Sequence, residues 1–348
     1  MNNTDPIYNS LMMKTIRKEA TDQKPVWLMR QAGRYMKEYR EVRAKVDFLS
    51  LCKSPELVSK VTCEAQEKIQ ADAAIIFADI LLIAESFGFD LSYHEGLGPV
   101  LESSDPQALH HIKAISQDRI LNELSYVQEG LKQTRKNLPS DIPLIGFAGA
   151  PFTVSSYLIE GGKTKTQFQK TKDLAMSSPD TWKKIMEALA QSSIDYLKMQ
   201  IDAGANILQL FDSWVGILNP EQYMQWVEPY VTQILQEIPK EIPTIYFGAK
   251  TKHLLPYIKN LPCSIYGISD DQDLVEAWDI VEGKPIQGNL SPEILLQSWP
   301  QVESAAKKIM SQSYGRTGHI FNLGHGILPQ TPVENVIELI QYIHEYRQ

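Results

Sequence analysis

Short apolar runs rich in β-branched and aromatic residues recur along the chain, separated by longer amphipathic stretches. This is how strands alternating with helices look in a parallel α/β fold. Eight runs stand out: Pro25–Met29, Ala73–Phe77, Pro143–Phe147, Asn206–Phe211, Pro243–Phe247, Ser264–Ile268, Pro285–Gln287 and His319–Asn322. Between them Ser54-Pro55-Glu56, Ser178-Pro179-Asp180, Asn219-Pro220-Glu221, Ser291-Pro292-Glu293 and Thr331-Pro332-Val333-Glu334 each set a capping side chain before proline at a first helical position. Proline costs nothing there, because that N–H has no partner inside a helix.

Eight alternations with no Gly/Ser linker and no break in composition predict an α/β fold of one (β/α)8 TIM barrel in preference to a doubly wound sheet. The doubly wound alternative needs a Gly-x-Gly-x-x-Gly turn after its first strand, and none follows Trp27-Leu28-Met29. One catalytic domain is expected over residues 1–348, its first ~20 residues forming a peripheral extension. Two long polar connections, Leu91 to Asp105 and Gly161 to Ser178, are expected to line or cover a site.

The composition fits a globular protein: 348 residues, 43% hydrophobic and 22% charged, which excludes disorder and collagen. A balance of 34 Lys+Arg against 42 Asp+Glu gives a net charge of −8 and argues against a nucleic-acid partner. Cys52, Cys63 and Cys263 form no Cys-x-x-Cys pair, which points to a reducing compartment rather than a disulfide framework. Charged residues through Met1 to Lys24 leave no signal-peptide core. The uncharged run Ile142 to Ile159 contains Pro143, Gly146, Gly149 and Pro151, so it reads as strand and loop, not a membrane span. A cytoplasmic location without a membrane partner is expected.

In a parallel barrel, chemistry sits at the carboxyl ends of the strands. The first run leads into Arg30-Gln31-Ala32-Gly33-Arg34-Tyr35, and Lys24 to Lys45 holds seven basic residues against Glu38 and Glu41. If Arg30 opened a helix, Arg30 and Arg34 would share one face. Asp79 stands among apolar neighbours after the second run and needs a hydrogen-bonding or cationic partner. The third gives Gly146 to Thr153 with Tyr157 downstream, the fourth Phe211-Asp212-Ser213-Trp214, the seventh Gly288-Asn289-Leu290 and the last Asn322-Leu323-Gly324-His325-Gly326.

Taken singly, each has a structural reading: a solvated basic helix, a helix-capping Asp79, a loop histidine, rim aromatics. Their joint arrival at strand ends favours a site. A P-loop is excluded at Gly162-Lys163-Thr164, since its first glycine would fall on Tyr157. His94, His110, His111, His253, His319, His325 and His344 show no zinc-ligand spacing.

These residues resemble the uroporphyrinogen decarboxylase family nearly end to end. The resemblance is carried by Pro25 to Tyr35, Ile76 to Leu81, Gly146 to Thr153, Gln209 to Trp214, Gln287 to Leu290 and Asn322 to Ile327. It implies a homodimeric barrel without metal or organic cofactor, acting on a tetrapyrrole in haem biosynthesis. It further implies Asp79, Arg30, Tyr157 and His325 as catalytic residues, with Arg30 a candidate proton donor. Arg30, Arg34 and Arg43 would face the substrate carboxylates and Asp79 the pyrrole N–H groups. Tyr157, Ser213 and His325 would line the cleft, and Phe211 would pack on the macrocycle.

Elementary chemistry suits these roles. Guanidinium forks pair bidentately with carboxylates, and one acceptor-only carboxylate can collect several N–H bonds. A protonated pyrrole accepts the electrons released as CO2 leaves, so the reaction needs no other electron sink. The chain departs from its relatives at Met36-Lys37, where a helix-start proline is usual, and at Ser269-Asp270, where Asp-Trp is frequent. The first departure is expected to alter only the helix start. The alternative is a methyltransferase of the same superfamily, but its zinc-binding His-x-Cys is absent from Ile245-Tyr246-Phe247-Gly248.

Overall fold

Seven of the eight apolar runs form the parallel strands of one sheet. In the computed structural model, which describes residues 4–94, 96, 98–105, 107–164 and 166–347, nine strands are present. They are β1 (Ala74–Ile75), β2 (Asp90–His94), β3 (Gly98–Glu102), β4 (Leu144–Gly149), β5 (Ile207–Asp212), β6 (Thr244–Gly248), β7 (Ile265–Gly267), β8 (Ile286–Gln287) and β9 (His319–Ile320). The main sheet runs β1-β4-β5-β6-β7-β8-β9, while β2 and β3 form a separate antiparallel hairpin. Buried on both faces, β4 and β6 read as continuous apolar runs, as parallel strands do.

The eighth place in the ring is taken by residues 25–29, which make a single parallel bridge, Val26 to Phe321. On that side Phe321 N–H donates to Pro25 O at 2.8 Å and Trp27 N–H to Phe321 O at 3.3 Å. On the β1 side a single backbone bond, Asp72 N–H to Val26 O at 2.8 Å, is joined by side-chain bonds. Val26 N–H donates to the Asp72 carboxylate at 2.7 Å. Gln31 Oε1 accepts Leu28 N–H at 3.1 Å while its Nε2 donates to Ala73 O at 3.0 Å. On this side the (β/α)8 ring is closed by that one backbone bond, the Asp72 carboxylate and the buried Gln31 amide.

Inside the ring a polar chain crosses the core. Trp27 Nε1 donates to Gln287 Oε1 at 2.9 Å, and Gln287 Nε2 to Gln209 Oε1 at 3.2 Å, all three residues fully buried. Outside, the helix Pro179–Asp202 buries one face, and its Gln200 holds both the N–H and the carbonyl of Phe147 at 2.8 Å. Residues near the amino terminus are tied in: the helix Leu11–Ile16 buries Met12 and Met13.

The helix-start signals differ in outcome. Ser54 caps Pro55–Ile69, and Asn219 closes a capping box on Pro220–Trp226. Ser178 and Ser291 make no side-chain cap, Pro292–Leu296 is only a 3-10 turn, and the last helix starts one residue later, at Val333 after Pro332. The stretch 91–105 is not an open connection: most of it is the β2–β3 hairpin, with buried Leu91 opposite buried Leu101. Only one face of that ribbon is covered, so its composition reads as polar. Likewise 161–178 contains the helix Gln169–Ser177. Among the described residues, no helix is long and apolar enough to cross a membrane.

Replacing Gln31 by Leu leaves Leu28 N–H and Ala73 O buried without partners. At about 1–3 kcal/mol for each unsatisfied group, urea unfolding should show a loss of roughly 2–6 kcal/mol. A loss below about 0.5 kcal/mol, the size of an ordinary surface substitution, would mean that the amide does not hold the ring closed.

Candidate active site

Past Met29 the chain turns out of the ring. Arg30 adopts a left-handed backbone, φ 64°, and Gln31 N–H returns to Leu28 O at 3.0 Å. The segment 30–36 is therefore a series of turns, with a helix only over Lys37–Arg43, so Arg30 and Arg34 do not share a helix face. Two competing bonds explain this: Tyr35 Oη donates to Gln31 O at 2.8 Å, and Gln31 is committed to the ring closure. Lys37 opens the helix after an uncapped Met36.

The Arg30 side chain lies across Gly326, where a Cβ would stand 2.4 Å from Arg30 Cδ. Gly324 is equally constrained, since its Cβ would meet Asp270 N at 2.1 Å. The two glycines flanking His325 thus serve close approach on either side. His325 is exposed, accepts Gly326 N–H at Nδ1 (2.7 Å), and is held below the usual histidine range by partial burial and then by the Arg30 guanidinium. Asp270, packed against Gly324, opposes that effect.

Asp79 follows β1 where the chain leaves the sheet; Phe77 N–H is capped by Thr62 Oγ1 at 3.0 Å. One Asp79 oxygen accepts Leu81 N–H at 2.8 Å, so the capping role and a place in the mouth coexist. Burial pushes its carboxyl above the usual carboxylate range; the Tyr93 hydroxyl, Leu81 N–H and the Arg30 guanidinium oppose this, in that order. Tyr157, half-buried on the helix Pro151–Glu160, feels both Asp79 and Arg30, and burial raises its hydroxyl. Arg30, Asp79, Tyr157 and His325 therefore share one mouth at the carboxyl ends of the strands.

Phe211, half-buried at the end of β5, stands edge-on to Phe147 (5.4 Å) and Phe247 (6.2 Å). Ser213 and Trp214 follow, and the Trp214 ring lies 6.0 Å from that of Tyr157. Arg34 is exposed, its carbonyl pinned by Arg40 Nη1 at 2.9 Å. Arg43 is half-buried and donates to Val46 O, so part of its fork is engaged internally. Burial raises the Tyr39 hydroxyl, and both Arg43 and Arg34 oppose that rise.

Tyr93, on the hairpin, escaped the sequence reading. The alternation Phe89, Leu91, Tyr93 was its signal, hidden in a stretch that reads as polar. Phe48 packs edge-on against its ring at 4.6 Å. The hairpin is fastened to the Tyr157 helix by Leu101 N–H to Gly161 O at 3.0 Å. Cys52, Cys63 and Cys263 are free thiols, all raised by burial. Among the described residues no three His, Cys, Asp or Glu stand together as a metal site. A separate depression of about 610 Å³, lined by His110, His111, Lys184 and Gln191 among others, shares none of these residues.

Fold and mouth together define an α/β-barrel enzyme with its acid and arginines at the carboxyl ends of the strands. The model of the uroporphyrinogen decarboxylase (URO-D) family matches residues 8–346, and the chain belongs to that family. It is 42% identical over 341 residues to a uroporphyrinogen decarboxylase of Koribacter versatilis, covering 97% of this chain and 96% of that one. A uroporphyrinogen decarboxylase of Carboxydothermus hydrogenoformans is 40% identical over 339 residues, covering 97% and 96%. A methyltransferase from Methanosarcina mazei shares the fold, with a TM-score of 0.83, 18% identity and coverage of 97% and 98%.

Tyr93→Phe removes a hydroxyl that favours the ionised Asp79, so the Asp79 pKa should rise further. A carbon-13 NMR titration of the Asp79 carboxyl should show the midpoint moving to higher pH. An unmoved midpoint would remove Tyr93 from the site.

Proposed function

We propose that the chain is a uroporphyrinogen decarboxylase of haem biosynthesis. It removes CO2 from the four acetate side chains of uroporphyrinogen III to give coproporphyrinogen III, and it acts as one catalytic barrel domain. The observation that carries this reading is Asp79, a partly enclosed carboxylate at a strand end facing Arg30 and Tyr157, in a chain matched by the family over 8–346.

The chemistry follows from the substrate. A proton added to the pyrrole carbon beside the acetate makes a ring cation. The bond to CO2 then breaks and its electron pair flows into the ring, leaving an exocyclic methylene. Protonation of that carbon and loss of the added ring proton give a methyl group and restore the pyrrole, for a net uptake of one proton per CO2. The ring is its own electron sink, so no metal or organic cofactor is required.

Asp79 accepts pyrrole N–H bonds and stabilises the ring cation where partial exclusion of water strengthens charge interactions. Arg30, Arg34 and Arg43 pair with substrate carboxylates, and Arg30 is the candidate proton donor. Tyr157, Ser213 and His325 line the cleft, and Phe211 packs on the macrocycle. Partial burial and Arg30 favour the neutral imidazole of His325. A homodimer in the cytoplasm completes the reading, the latter supported by three unpaired cysteines.

Anaerobic incubation with uroporphyrinogen after exhaustive chelation should give stepwise loss of carboxyl groups to a four-carboxylate product. Activity lost on chelation and restored by zinc would favour the methyltransferase branch instead. Arg34→Ala should raise KM by roughly 10- to 150-fold, as expected for a charge-assisted bond of ~1.5–3 kcal/mol. Arg34→Lys restores charge but not the fork and should recover only part of this; unchanged kinetics in both would return Arg34 to a solvated surface.

A further inference from the structure

Asp212 is fully buried at the end of β5 and takes no part in the chemistry above. Side chains alternate across a strand, and Gln209 and Phe211 face the interior with Gln287 and Phe247, so Asp212 points the other way, into the helix layer. There Thr153 Oγ1 donates to its Oδ1 at 2.7 Å and Tyr246 Oη to its Oδ2 at 2.9 Å. Thr153 lies in the first turn of the helix that carries Tyr157. The same Thr153 oxygen accepts Trp214 N–H at 3.3 Å, and Ala150 N–H reaches Phe211 O at 2.8 Å.

We propose that Asp212 is a positioning residue that locks the Phe211-Asp212-Ser213-Trp214 turn to the Tyr157 helix, fixing the spacing of two facing walls of the cleft. The inference rests on the decarboxylase reading. A carboxylate only accepts, so both hydroxyls must donate to it, and this turns a lone pair of Thr153 toward Trp214 N–H. The relay from Trp214 through Thr153 to Asp212 therefore has one polarity and one geometry.

The arrangement is not there for stability at neutral pH. Burial pushes the Asp212 carboxyl from its ordinary 3.8 up to about 6, against the pull of Thr153 and Tyr246. The folded state thus holds this proton more tightly than the unfolded chain does. The contribution to stability is greatest below about 4 and is lost as pH rises through about 6. What the anion supplies above that pH is orientation.

The test compares Thr153→Ser, Thr153→Val, Asp212→Asn and the double variant Thr153→Val/Asp212→Asn. Each is assayed with uroporphyrinogen well below its unfolding temperature, and hydrogen exchange is followed at Trp214. A misplacement of about 1 Å can cost on the order of 100-fold in rate. Thr153→Val and Asp212→Asn should each lower kcat by about 10- to 100-fold with KM within about threefold. Thr153→Ser should retain turnover, the double variant should be no worse than the poorer single, and Trp214 N–H should exchange faster in both singles. Turnover within twofold of the parent in the two singles, or equal losses in Thr153→Ser and Thr153→Val, would overturn the proposal. Should the parent protein itself not turn over uroporphyrinogen, the functional reading falls, and unchanged exchange at Trp214 would still decide against the relay.

Discussion

The buried amide of Gln31 stands where a strand ladder would otherwise close the ring, and the geometry of the mouth follows from it. A regular first strand would carry its side chains straight past the end of the barrel. Here the hydrogen bonds to Leu28 and Ala73 end the extended segment early, and Arg30 turns left-handed immediately afterwards. That turn lays the Arg30 side chain over Gly326, from the other side of the closure. The seam of the fold and the cationic side of the mouth are one feature.

Electrostatics at the mouth are a contest between burial and a few directed partners. Burial acts against the charged form of Asp79, while Tyr93, Leu81 N–H and Arg30 favour it. The same guanidinium disfavours a charged His325 and opposes the rise of Tyr157. One cation thus biases three titratable groups toward anionic Asp79 and neutral histidine. In a partly water-excluded setting such preset charge suits the proposed reaction, because it needs no reorganisation as a ring cation develops.

Much of this is legible in the sequence because it depends on local pattern. Both-face burial makes β4 and β6 continuous apolar runs, and joint arrival at strand ends, followed by the family resemblance, pointed to Asp79, Phe211 and His325. The failures are equally physical. The first run, Pro25–Met29, looks like its neighbours, yet on the β1 side one backbone bond and the side chains of Asp72 and Gln31 stand in for a ladder. Arg30 and Arg34 at helical spacing suggested a shared face, but a left-handed residue leaves no local mark when it is not glycine. Tyr93 was hidden because a ribbon covered on one face looks like loop. Asp212 has its partners on separate elements, Thr153 and Tyr246, far apart in the chain.

The central claim is that the charge of Asp79, not merely its place in the turn, serves the reaction. Asp79→Asn separates the two, because the amide oxygen can still accept Leu81 N–H and keep the turn capped. Turnover of uroporphyrinogen by this variant, measured beside its thermal unfolding, is the most direct test. Losing an electrostatic stabiliser costs ~2.7–4 kcal/mol, so kcat should fall about 100- to 1000-fold with the unfolding temperature nearly unchanged. Near-normal turnover in a well-folded variant would contradict the account, and a grossly destabilised variant would show Asp79 to be a cap and nothing more.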